Sequence, residues 1–154
     1  MMSATGGAGT SIQVLLVEDS PGDVRLTREA FRDANSLVNL QIASDGVEAM
    51  AFLKRQGAYQ AAPRPNIILL DLNLPRMDGR EVLARIKEDE SLKLIPTIIL
   101  TTSEAEADIV KSYELQANCY LCKPAHWDAF DGLVRSINDF WLTRAKLPQP
   151  MQHG

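Results

Sequence analysis

The stretch Ile67-Ile-Leu-Leu-Asp-Leu-Asn-Leu-Pro-Arg-Met-Asp-Gly79 opens as an unbroken apolar run and closes in turn residues. A short apolar run containing β-branched residues reads as a strand buried on both faces. It ends in a carboxylate, Asp71. Asn73, Pro75, Asp78 and Gly79 then interrupt the pattern and hand over to a helix. Ligands of open α/β sheets sit beyond the carboxyl ends of the strands, so Asp71 stands where chemistry is expected. A lone strand-end Asp more often just starts a turn, so its weight depends on what closes the other strands.

Working outward, residues 12–17 form a first apolar strand that ends in Glu18 and Asp19. Ser20, Pro21 and Asp23 follow as cap, first helical residue and reciprocal cap of a helix reaching about residue 35. Residues 40–43 form a short second strand, and residues 45–56 a second helix, with Asp45 and Glu48 at capping spacing and Gly57 as its stop. The loop at residues 57–65 carries no recognisable chemistry. The third strand, residues 67–71, leads to a helix at residues 80–89 with Val82, Leu83 and Ile86 facing inward.

Residues 97–100 are a fourth strand, closed by Thr101, and Ser103 with Glu106 predicts a capping box for a helix at residues 104–115. Residues 119–122 are a fifth strand, ending in Lys123 and Pro124. A last helix at residues 126–144 carries Trp127, Phe130, Val134, Ile137 and Trp141 at steps of three and four. Strand and helix alternate throughout. The expected fold is α/β, a doubly wound, flavodoxin-like five-stranded parallel sheet of order 2-1-3-4-5.

The chain has 154 residues, enough for one domain with a sizeable core. We expect a single domain at residues 12–147, a disordered leader at 1–11 rich in Gly, Ala, Ser and Thr, and a flexible tail at 148–154. The net charge of −4 argues against nucleic-acid binding as the main task. No apolar run approaches the roughly 20 residues of a membrane span, and the leader has neither the basic start nor the apolar core of a secretory signal. A cytoplasmic location is the expectation. Cys119 and Cys122 lie three apart on a strand, so their thiols should point to opposite faces and be buried and structural.

The strand ends together form a constellation. Glu18 and Asp19 close the first strand, Asp71 the third, Thr101 the fourth and Lys123 the fifth. In this strand order the first and third strands are neighbours. Three carboxylates at close range raise one another's pKa or require a cation. Oxygen-only ligands favour magnesium. A hydroxyl and an ammonium across the rim suit an anion with several oxygens, and phosphoryl, flanked by metal and lysine with a carboxylate nucleophile between, is the economical candidate.

These residues resemble a known family. Val14-Leu-Leu-Val-Glu-Asp19, Ile68-Leu-Leu-Asp-Leu-Asn-Leu-Pro-Arg-Met-Asp-Gly79, Ile98-Ile-Leu-Thr-Thr-Ser103 and Tyr120-Leu-Cys-Lys-Pro124 are similar to the receiver domain of two-component response regulators. The resemblance implies that Asp71 is the phosphoacceptor. It implies magnesium on the Asp19 and Asp71 side chains, on the Asn73 backbone carbonyl and, through water, on Glu18. Thr101 is then the switch hydroxyl, Tyr120 the aromatic that moves with it, and Lys123 the phosphoryl ligand, with a cis Lys123–Pro124 bond. A receiver assists its own phosphorylation and dephosphorylation without being an enzyme, and its donor is a sensor histidine kinase.

A narrower resemblance is carried by the Ser-Pro-Gly-Asp-Val-Arg-Leu-Thr-Arg-Glu-Ala-Phe start of the first helix, the long loop before the third strand, Thr-Thr-Ser-Glu-Ala-Glu, and the Ser-Ile-Asn-Asp-Phe-Trp-Leu ending. It points to the small stand-alone response regulators of phytochrome kinases. The alternative is a phosphorelay or chemotaxis-like receiver serving another kinase, with a histidine phosphotransfer protein as a further partner. An aspartyl-nucleophile phosphatase would want a second Asp where Asn73 stands. A nucleotide-binding module would want a glycine-rich loop after the first strand. Leu133, Phe140 and Leu147 repeat every seven residues and, with Trp141, suggest a homodimer face on the last helix.

Overall fold

Ile67–Leu70 has no exposed side chain and forms the central strand, β3, as a doubly covered position requires. The computed structural model describes residues 11–34 and 37–148. The expected leader and tail lie outside those residues except for Ser11 and Pro148, as does Asn35 at the expected end of the first helix. The other strands are β1 (Ile12–Val17), β2 (Val38–Ala43), β4 (Thr97–Thr101) and β5 (Cys119–Cys122). All pairings are parallel, in the order β2-β1-β3-β4-β5, as expected.

Helices α1 (Pro21–Asp33), α2 (Gly46–Leu53), α3 (Gly79–Glu88), α4 (Glu106–Glu114) and α5 (Trp127–Ile137) cover the two faces. On one face Phe31 of α1 and Phe130, Val134 and Ile137 of α5 pack against Val14, Leu16, Ile67, Leu69, Ile98 and Leu100. On the other, Phe52 and Leu53 of α2 and Val82, Leu83 and Ile86 of α3 pack against Leu15, Val17, Ile68, Leu70 and Ile99. Helix α4 is different, for its one fully buried side chain is Ser112. Among the described residues no helix is long and apolar enough to cross a membrane.

Several local expectations need correction. The box predicted at Ser103 and Glu106 does not form. Helix α4 starts at Glu106 behind Ala105, with no side-chain cap, because the Ser103 hydroxyl donates to Asp108 at 2.6 Å. At α1 the Ser20 hydroxyl accepts the Asp23 N–H at 3.2 Å, but the Ser20 N–H donates to Glu18, not back to Asp23. Helix α2 ends before the predicted Gly57 stop. The chain leaves the helix through Arg55 at φ +55°, and Gly57 begins a separate single turn.

The Lys123–Pro124 bond is trans, since no cis peptide occurs among the described residues. The tertiary amide leaves trans the favoured form by about 0.5–1 kcal/mol, and the Lys123 ammonium reaches its partners from that backbone. Trp127 is 65 % exposed, not inward-facing, because it is the first residue of α5 and the buried stripe begins only at Phe130. The expectation of two buried thiols fails, for Cys119 is only partly buried, against the α1 and α5 core, and Cys122 is exposed.

The helical bonding also changes after Ile137. Residues Asn138–Arg144 form a π-helical segment, whose i→i+5 bonding adds a residue per closed ring and rotates later side chains out of phase. Of the four residues expected on a second apolar face, Leu133, Trp141 and Leu147 pack against the domain's own core, while Phe140 is exposed.

Two glycines set the loop after β3. A Cβ on Gly79 would lie 2.1 Å from the Asp71 carbonyl oxygen, and one on Gly46 would lie 2.0 Å from the Met77 carbonyl oxygen. Both are backbone atoms that cannot step aside. Gly79→Ala is therefore expected to cost about 3 kcal/mol or more, the upper end for overpacking. The check is urea unfolding. A loss below about 1 kcal/mol would show that the approach is not tight.

Candidate functional site

Sheet register brings the acids together. Val17 lies opposite Leu70, so the next residues, Glu18 and Asp71, leave β1 and β3 side by side. The Asp71 N–H still donates to the Val17 carbonyl at 3.1 Å. One carboxylate oxygen from each of Glu18, Asp19 and Asp71 lies within 4.8 Å of the others. Glu18 and Asp71 are buried, and Asp19 is exposed at the mouth. Asn73 is exposed, and its backbone N–H donates to Asp71 Oδ1 at 3.2 Å.

Lys123 enters from the end of β5. Its side chain is 4 % exposed, and Nζ donates to Glu18 Oε1, to Asp23 Oδ2 at 2.8 Å and to Asp71 Oδ2 at 3.0 Å. A buried ammonium is tolerable only when paired in this way. Burial alone would lower its pKa. The hydrogen bonds and charges of the surrounding acids override that and hold it above the ordinary lysine value. Burial pushes the Glu18 carboxyl up to about 7, against the pull of Lys123.

Thr101 closes β4 and is fully buried, with its Oγ1 3.5 Å from the Ser103 N–H that donates to it. Tyr120 is half-buried. Its hydroxyl donates to the Ser103 carbonyl at 3.0 Å, and its outward-facing backbone N–H donates to the Tyr113 hydroxyl at 3.2 Å. All the residues named from sequence at the strand ends thus lie at one end of the sheet.

Two features were not anticipated. The Asp23 carboxylate joins Lys123 instead of completing a capping box. The signal was its place on the first turn after β1, which must start beside the β1 acids. The second is a polar brace. Arg80 of α3 pairs with Asp108 of α4 at 2.8 Å, and the Ser103 hydroxyl donates to the same carboxylate. The Ser103 hydroxyl and then the Arg80 guanidinium hold Asp108 below the usual carboxylate range.

The donor set suits a hard divalent cation. Glu18, Asp19 and Asp71 offer only oxygens, and oxygen ligands of this kind select magnesium, calcium or manganese over softer metals. The family model "Response regulator receiver domain" matches residues 14–135. This chain belongs to that family. It is 51 % identical over 135 residues to the response regulator Rcp1 of Synechocystis sp., covering 88 % of this chain and 92 % of that protein. The crystal structure of the Mn(2+)-bound form of Rcp1 superposes with a TM-score of 0.87 at 50 % identity, covering 90 % of this chain and 99 % of that one. That of the phosphorylated cyanobacterial phytochrome response regulator RcpA superposes with a TM-score of 0.88 at 46 % identity, covering 91 % and 100 %. The expectation of a response regulator of this fold is borne out.

Removing the ammonium of this receiver leaves buried acids unpaired. Lys123→Met, in the presence of a chelator, is expected to lose about 3 kcal/mol of unfolding free energy. Adding Glu18→Gln should recover part of it, since the two sites are in contact. Urea unfolding of the single and double variants reads both. Equal stability of Lys123→Met and wild type would show that the pairing is not stabilising.

Proposed function

We propose that this response regulator accepts a phosphoryl group on Asp71 from a phosphohistidine of a sensor kinase. The observation that supports it most is the meeting of Glu18, Asp19 and Asp71 beside the buried Lys123. Magnesium is the proposed cation, held by the Asp19 and Asp71 side chains, by the Asn73 backbone carbonyl and, through water, by Glu18. When bound, it would neutralise charge building on the phosphoryl oxygens.

In the transfer an Asp71 carboxylate oxygen attacks phosphorus in line. The new O–P bond forms as the P–N bond to the donor imidazole breaks, and the electron pair stays on that nitrogen. Lys123 donates a hydrogen bond to the phosphoryl group, and Asn73, through its N–H to Oδ1, orients the nucleophile. Water later cleaves the acyl phosphate. The chain assists both steps and turns over no separate substrate.

The output is a change of surface. The Thr101 hydroxyl moves toward the phosphoryl group, and Tyr120 shifts with it. Tyr120 and the Ser103 carbonyl it binds are the links to α4 and β5, so a local charge event biases that face. The kinase is proposed to be a phytochrome. The support is the likeness to RcpA, which is named as a cyanobacterial phytochrome response regulator. A cytoplasmic location and one domain over residues 12–147 complete the reading.

With acetyl phosphate and magnesium, wild type is expected to take up label. Asp71→Asn, or wild type in excess chelator, should show less than about a hundredth of it, the scale of losing a nucleophile or its electrostatic partner. A phytochrome kinase labelled on histidine should pass label to wild type and not to Asp71→Asn. Uptake by the Asp71→Asn variant at the wild-type level would remove the assignment. Intact transfer from acetyl phosphate with none from phytochrome kinases would remove only the proposed donor.

A further inference from the structure

The three N–H bonds of the Lys123 ammonium are already committed, one each to Glu18, Asp23 and Asp71. A lysine has no fourth donor. A phosphoryl oxygen arriving at Asp71 can gain a hydrogen bond from Lys123 only by displacing one of these acids.

The three are not equally displaceable. The Glu18 and Asp71 side chains are 3 % and 9 % exposed, whereas that of Asp23 is 30 % exposed. A buried carboxylate that loses its partner keeps the full desolvation penalty, while one at the surface is re-hydrated. Asp71 loses its charge on accepting the group and passes its own hydrogen bond on, which leaves Glu18 and Asp23 as the anions that still compete for Lys123. Asp23 is therefore the acid that yields.

We propose that Asp23 is a positioning residue that holds Lys123 in the unphosphorylated protein and gives up its hydrogen bond to the phosphoryl oxygen. It thereby opposes formation of the phosphorylated state. This rests on the reading of Asp71 as acceptor. The covalent step is unchanged, and only hydrogen bonds are exchanged around it. The carboxylate is free for this role, because the cap at α1 uses the backbone N–H of Asp23 and not its side chain. Asp23→Asn accordingly keeps the helix start while removing the charge that competes for Lys123.

Beryllofluoride, a tetrahedral mimic of a phosphoryl group on a carboxylate, tests this at equilibrium. It is titrated with saturating magnesium into wild type, Asp23→Asn, Asp23→Glu and Asp71→Asn, and the Lys123 and Thr101 backbone amide resonances are followed. Asp23→Asn is expected to bind about fivefold more tightly than wild type, the scale of a partly exposed ion pair. Asp23→Glu, which restores the competing charge, should return toward wild type. Unchanged or weaker binding by Asp23→Asn, with wild type binding normally, overturns the proposal alone. Failure of wild type to bind, or binding that survives Asp71→Asn, overturns the acceptor reading and the proposal with it.

Discussion

One buried ammonium organises this molecule. Lys123 reaches from the end of β5 to acids contributed by β1, α1 and β3, and thereby ties the two ends of the chain to its middle. The pairing exists because taking that charge out of water is costly unless acids face it. It is also incomplete, for Glu18, Asp19, Asp23 and Asp71 outnumber the single lysine. The surplus negative charge at the mouth is what makes a hard cation welcome there. The sheet contributes the distance. Adjacent parallel strands lie about 4.8 Å apart, so acids that follow paired residues Val17 and Leu70 cannot avoid one another.

Much of this was legible before any coordinates. Buried parallel strands are short apolar runs, and the inner strands β1, β3 and β4 were visible as such, whereas the edge strands β2 and β5 are only half-buried. Alternation with helices then fixes topology through the handedness of crossovers. Once the order is known, the residue that ends each strand must lie near the others. Glu18, Asp71, Thr101 and Lys123 were readable for that reason alone, and family resemblance supplied their roles.

Two of the features that escaped the sequence have a common cause. Polar side chains have several local partners to choose from, and the pattern does not say which wins. Asp23 has the spacing of a reciprocal cap, yet its carboxylate finds a lysine a hundred residues away. Ser103 has the spacing of a cap for α4, yet it prefers Asp108. The end of the last helix failed differently. Counting by sevens assumes one residue spacing per turn, and the widened segment Asn138–Arg144 breaks that count. Trp127 misled because periodicity does not mark where a helix first meets the sheet.

Helix α4 has a consequence of its own. Helix α3 drives Val82, Leu83 and Ile86 into the sheet, whereas α4 fully buries only Ser112, whose hydroxyl has no partner among the described residues. What fastens α4 is a set of directional links, namely Arg80 to Asp108, Ser103 to Asp108, and the Tyr113 hydroxyl lent to the edge of β5. Greasy contacts resist sliding because every ångström exposes oil to water. Polar links can instead be swapped for water molecules one at a time. The molecule thus possesses one rod that is pinned, not glued, and it lies against the strand that delivers the lysine.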